Sequence, residues 1–154
     1  MKILHKTSGE ILFEDSSDSL KETLENAVRC GTNLRGADLR RADLRGANLT
    51  EANLRGADMY LANLEGANLT DADLAWANLL NGSLSDANLE GANLNWTNLT
   101  WADLRRANLT WANLTEANLR LADLSGAILL NTNLTWASLT EANLSGANLL
   151  NTNF

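Results

Sequence analysis

The chain has 154 residues, of which 45% are hydrophobic but only 5% aromatic, with no proline, one cysteine and a net charge of −7. That length allows one domain or one repeat array, and the dominance of Ala, Asn and Leu excludes a core of ordinary mixed composition. No apolar run approaches the roughly 18 residues of a membrane span, and Met1 to Lys6 lacks the apolar stretch of a secretion signal. The lone Cys30 can form no internal disulfide, which fits a reducing compartment, so the expected location is cytoplasmic.

The first 31 residues read as a unit of their own. Ile3 to Lys6 and Glu10 to Glu14 flank Thr7-Ser8-Gly9, a hairpin signal with glycine where a positive φ is wanted. Ser19 followed three residues later by Glu22 predicts a capping box. Leu20, Leu24, Ala27 and Val28 then form one apolar stripe, and Gly31 stands where a helix stops. The sequence therefore predicts a helix over 19–30, laid over the open end of whatever follows. A solenoid needs such a cap, because a bare end exposes both core and strand edge.

From Thr32 to Phe154 a five-residue register runs without insertion. Its central apolar position, i, falls at 34, 39, 44 and every fifth residue to 154. Of these 25 positions, 23 are Leu and the exceptions are Met59 and Phe154. Position i−2 is Ala twenty times and otherwise Thr or Gly; position i−1 is Asn or Asp except at Ser83, Ile128 and Ser138. Positions i+1 and i+2 are open. A helix would turn about 500° in five residues and smear Leu over every face. Two inward residues around one outward residue are strand-like, with a two-residue turn to complete the unit. Leu34, Leu54, Leu74, Leu94, Leu114 and Leu134 head the expected structural core. Leu-Leu-Asn-Thr-Asn recurs at 129–133 and 149–153, and Trp76, Trp96 and Trp136 are separated by multiples of twenty. Both hint at four pentads per coil.

Runs such as Ala37-Asp38-Leu39-Arg40-Arg41 and Ala47-Asn48-Leu49-Thr50-Glu51 resemble the pentapeptide-repeat family, A(N/D)LXX, over about four-fifths of the chain. The resemblance implies an all-β fold: a right-handed quadrilateral parallel β-helix of about six coils, with the hairpin and helix as a small N-terminal cap. The expected organisation is a cap over 1–31 and a pentapeptide-repeat β-helix over 32–154. At its end the chain is still in register, and Leu149 and Phe154 form a candidate dimer end, with a homodimer through the C-terminal coil as the expected outcome.

Catalytic chemistry is absent from the text. His5 is the only histidine, so no Ser or Thr in the repeats has a base to activate it. Cys30 follows a helix C-terminus, where a thiolate is disfavoured. The Asp residues at i−1 share their position with many Asn, which fits side-chain hydrogen bonding to backbone rather than acid–base work. No Cys/His cluster suggests a metal, and no glycine-rich loop a phosphate. The expectation is a non-enzyme without cofactor, catalytic residue or metal site.

Specificity then has to lie on the surface. All five tryptophans fall at i+2, and Trp76, Trp96 and Trp136 share a column that Glu116 interrupts. With Trp101 and Tyr60 they form a candidate interaction face; the competing reading is that stacked residues only stiffen the rod. Two functions follow. One is a non-enzymatic scaffold whose tryptophan-rich face binds a protein partner of unknown identity. The other, implied by the family resemblance, is a DNA mimic that binds and modulates a type II topoisomerase (gyrase). Residues 31–154 carry eight Arg against thirteen Asp or Glu, a net of −5. Duplex DNA of the same length, about 29 Å, carries about 17 charges. Arg35, Arg40, Arg41 and Arg45 crowd the first coil but sit among Asp38, Asp43 and Glu51, which makes nucleic acid an unfavoured partner.

Overall fold

The computed structural model describes residues 1–154. Strands β1 (Lys2–Leu4) and β2 (Ile11–Glu14) pair antiparallel, with Ile3 opposite Phe13 and the register shifting after Ile3. Helix α1 (Leu20–Arg29) starts where Ser19 Oγ accepts from the Glu22 N–H at 3.2 Å. Only that half of the expected capping box forms, since Glu22 makes no return bond to Ser19. At the other end Gly31 is left-handed at φ +67°, its N–H reaches the Val28 carbonyl, and the Thr32 N–H reaches the Ala27 carbonyl. That pair of bonds is the Schellman closure, which satisfies carbonyls the helix itself cannot.

Beyond residue 31 there is no long strand. Single-residue parallel bridges link each i−1 residue to the one twenty positions on, from Asp38–Asp58 to Asn133–Asn153. Twenty residues is four pentads, so each turn of the solenoid has four sides. The pentad around Leu94 accounts for all five of its backbone N–H groups. Leu94 donates up to the Asn113 carbonyl (2.7 Å) and Trp96 up to Thr115 (3.0 Å), while Asn93 donates down to Ala72 (2.9 Å). Ala92 closes a β-turn on the Leu89 carbonyl at 3.1 Å, and the Asn95 N–H goes to Asn93 Oδ1 at 3.3 Å. The last bond explains Asn and Asp at i−1: the side chain supplies the acceptor that no neighbouring turn can reach. Ile128 has no such oxygen, and the Leu130 N–H is correspondingly without an acceptor.

Residue i+2 sits at the third position of the turn, and it is left-handed at every corner. Seven corners carry glycine and seventeen do not, Trp76, Trp96 and Trp136 among the latter with φ of +63°, +59° and +62°. Gly36 has a second constraint, since a Cβ there would run into the His5 ring.

One continuous core of 41 buried residues joins the N-terminal unit to the repeats. It holds Ile3, Leu24 and Ala27 together with Leu34, Leu54, Leu74, Leu94, Leu114 and Leu134, so the Leu column reads as inward along the whole rod. His5 bridges antiparallel to Ala37, Asp38 donates to the Leu4 carbonyl, and Lys6 donates to Gly36. Glu25 accepts from the Asn48 N–H at 2.9 Å, and Lys21 Nζ donates to the Arg45 carbonyl at 2.8 Å. Part of the first turn's end-facing backbone is thus met by the N-terminal strand and two helix side chains. No helix is long and apolar enough to cross a membrane.

Asp15 ties the unit together. It accepts from Asn26 Nδ2 (2.7 Å), Ser17 Oγ (2.7 Å) and Thr23 Oγ1 (2.8 Å). These bonds, the one from Asn26 foremost, hold its carboxyl far below the usual carboxylate range. Because the folded value lies below the unfolded one, the stability Asp15 lends is complete above about pH 4 and is lost as pH falls through the folded value. Asp15→Ala should therefore lower the melting temperature at pH 7, with the gap to the parent narrowing as pH falls below about 4. Calorimetric melts of both proteins from pH 2 to pH 7 check this, and a gap independent of pH would refute it.

Candidate functional site

The structure brings part of the predicted face together. Trp76 and Trp96 stack one turn apart, ring centroids 4.9 Å and planes 5° from parallel. Trp136 stands two turns above Trp96 in the same column and is 82% exposed. Between them lies Glu116, half-buried, with neither an ion pair nor a side-chain hydrogen bond. Trp101 occupies the next corner of Trp96's own turn and Trp111 a different one, both exposed.

Tyr60 does not join them. It is half-buried at an i+1 position and lines a shallow depression with Asp38, Arg40 and Arg41. At the far end, Leu149 and Phe154 are exposed in the last turn, beside exposed Leu150. The sequence signal that matters most at the tryptophan corner is Glu116, which interrupts an aromatic column. Ile128, 41% exposed where Asn or Asp normally stands, is the comparable signal on another side.

The charges are locally balanced. Arg40 forks onto Asp38 through Nε (2.8 Å) and its terminal nitrogen (2.6 Å), and Arg45–Asp43 and Arg105–Asp103 repeat the same geometry within one pentad. Arg106 pairs with Asp86 of the turn below. Hydrogen bonding from the guanidinium lowers each of these carboxyls, Asp43 to about 2. Exposed pairs of this kind add little stability, but they break the acidic surface into neutral patches. No group of three or more His, Cys, Asp and Glu side chains converges as a metal would require. Cys30 is exposed and free.

A left-turning pentad corner, an Asx bond inside each unit and a four-sided parallel ladder together define a β-solenoid built on pentapeptide repeats. The family model described as pentapeptide repeats matches eight copies, over residues 31–66, 67–106, 83–120, 102–140 and 117–154. The chain belongs to that family. No curated protein sequence matches it.

Solved structures of pentapeptide repeat proteins are similar to it. Rfr23 from the cyanobacterium Cyanothece 51142 is 35% identical, with 71% of this chain and 65% of that one covered and a TM-score of 0.43. The protein alr5209 from Nostoc PCC 7120 is 30% identical, with 82% and 93% covered and a TM-score of 0.42. QnrB1, a plasmid-mediated fluoroquinolone resistance protein, is 20% identical, with 73% and 67% covered and a TM-score of 0.51, a likeness of fold. The chain spans 65% of Rfr23 and 62% of HetL, a Nostoc pentapeptide repeat protein involved in heterocyst differentiation regulation.

Proposed function

We propose that the chain is a non-enzymatic interaction scaffold: a capped rod of about six coils whose tryptophan corner docks a protein partner. The observation that carries this reading is the state of Trp76, Trp96 and Trp136. Each occupies a left-handed corner, a conformation that costs a non-glycine residue about 1 kcal/mol. Seven other corners use glycine and fourteen carry other side chains, so it is large exposed aromatic surface added to the strain that sets the tryptophan corners apart. The stack of Trp76 on Trp96 returns some of that energy, about 1 kcal/mol. Trp136 has no aromatic neighbour and is 82% exposed, so the fold gains nothing from it. Aromatic side chains of this kind are the residues that dominate binding energy at protein interfaces.

The test is affinity capture from host lysate with the parent and a Trp76→Ser, Trp96→Ser, Trp136→Ser triple variant. The variant should melt within a few degrees of the parent, because no core contact is removed. A partner held by the parent and lost by the variant is the expected result. Equal recovery by both baits would overturn the reading.

DNA mimicry is the weaker alternative. A mimic needs a continuous acidic track, and four Arg–Asp pairs interrupt one here. Salt-sensitive inhibition of gyrase supercoiling by the parent chain would reinstate it.

A further inference from the structure

The structure assigns the gap between Trp96 and Trp136, floored by Glu116, as a binding site for a trimethylammonium head. It rests on the interaction reading of the same corner and names what seats in one part of it.

The three residues are held in strict register, because Asn93 bridges to Asn113 and Asn113 to Asn133. Their corner dihedrals are +59°, +57° and +62°, so the three side chains leave the backbone in the same direction. The Trp76–Trp96 pair gives the orientation an indole takes at this corner: face toward the neighbouring turn, 5° from parallel. A tryptophan at 116 would continue the stack. Glu116 is shorter and leaves the stack open between the Trp96 and Trp136 corners; an indole at 136 in the orientation of the stacked pair would turn its lower face to the upper face of Trp96.

Two turns span about 9.6 Å. A cation midway lies about 4.8 Å from each ring, inside the ~6 Å reach of a cation–π contact. Size selects within that class. A flat guanidinium stacked on both rings needs faces about 7 Å apart at contact distances of ~3.5 Å, so here it would touch only one. A rounded trimethylammonium head fills the space. It is also weakly hydrated and gives up little water on entry.

Charge points the same way. Asp38, Asp43, Asp86 and Asp103 are each engaged by arginine, whereas Glu116 has no cationic partner. The flanking segments 94–98, 114–118 and 134–138 contain no Lys or Arg. An uncompensated carboxylate between two indole faces has the elements of an aromatic cage.

The experiment is a titration of the full chain with tetramethylammonium, followed by the five indole N–H resonances in a nitrogen–proton correlation spectrum. Saturable shifts of Trp96 and Trp136, with Trp101 and Trp111 unmoved, are expected. Trp136→Leu should weaken binding at least about tenfold, and Glu116→Gln about threefold or more, with the difference shrinking as salt rises. Neither substitution touches the core, so both variants should melt like the parent. Equal response to tert-butanol, a neutral isostere, would overturn the site, as would indifference to Glu116→Gln or tighter binding of guanidinium. Choline and a trimethyllysine peptide, run in parallel, distinguish a free small cation from a modified side chain as the source of the head. Because no protein partner enters this measurement, its failure and that of the capture experiment are separate results.

Discussion

Leu94→Asp should abolish cooperative unfolding. Leu94 is fully buried in the middle of the rod, between Leu74 below and Leu114 above. Truncating a buried Leu to Ala alone costs about 3–5 kcal/mol. A carboxylate in a dry interior adds several kcal/mol more or takes up a proton instead. The sum rivals the whole stability of a typical domain, about 5–15 kcal/mol. In a solenoid each turn leans only on its neighbours, so a failed central turn also uncouples the two halves. Circular dichroism melts at pH 7 should lose their sigmoidal transition and regain part of it at pH 3, where the Asp is neutral. Leu150→Asp, at an exposed site of the last turn, is the control and should stay within a few degrees of the parent. A sharp melt from Leu94→Asp would refute the inward assignment of the Leu column.

That assignment was legible because the physics constrains residue type at three positions of five. A narrow dry interior admits Leu beside Ala, and the orphaned i+1 N–H demands an oxygen at i−1. A period of five, matching neither helix nor plain strand, did the rest. Helix α1 was equally plain, since Ser19, the apolar stripe and Gly31 are local signals; the predicted 19–30 differs from Leu20–Arg29 only at its ends. The hairpin was less well delimited. Its first strand was expected to reach Lys6 but stops at Leu4, because His5 turns to bridge with Ala37 of the first repeat turn. That competition is long-range, and nothing within Ile3 to Lys6 announces it.

The turn at i+1 and i+2 was legible, but the left-handed backbone of its non-glycine corners was not. Local preference assigns a positive φ to glycine and, less readily, to Asn and Asp. Here Arg41, Leu61, Trp101 and Glu141 adopt it too, at +58° to +59°. Each is forced there by bonds made elsewhere: its N–H reaches up to the next turn where one exists, and the turn closes on the carbonyl of residue i. The pattern of stacked hydrogen bonds overrides residue preference, as Trp96 shows with its 3.0 Å bond to the Thr115 carbonyl. The site inherits this opacity. Sequence spacing put Trp76, Trp96, Glu116 and Trp136 in one column, but only the structure shows Trp76 and Trp96 lying face to face along the rod. Tyr60 and Trp101, both assigned to the candidate face, stand two turns apart.

Ala107 offers the second large effect, and a contrast that isolates its cause. Ala107 is fully buried at i−2, with Ala87 and Ala127 in the turns below and above. Overpacking a tight interior costs about 1–3 kcal/mol and sometimes more, and a solenoid has little room to relax, since moving one wall strains its bonds to both neighbouring turns. Ala107→Leu should therefore lower the melting temperature by several degrees or more. Ala107→Thr should not, although Thr is polar and the site is dry. The chain already carries Thr97 and Thr132 at this position, both buried, with hydroxyls donating to the Leu74 and Leu109 carbonyls at 2.9 and 2.6 Å. Both acceptors lie 23 residues earlier, and the same offset from Ala107 leads to the Leu84 carbonyl. The introduced hydroxyl is then satisfied, and Thr adds two heavy atoms, Oγ1 and Cγ2, where Leu would add three carbons and reach one bond further. If thermal melts placed Ala107→Thr below Ala107→Leu, polarity rather than volume would govern the small inward position, and the packing account of the Ala column would be wrong.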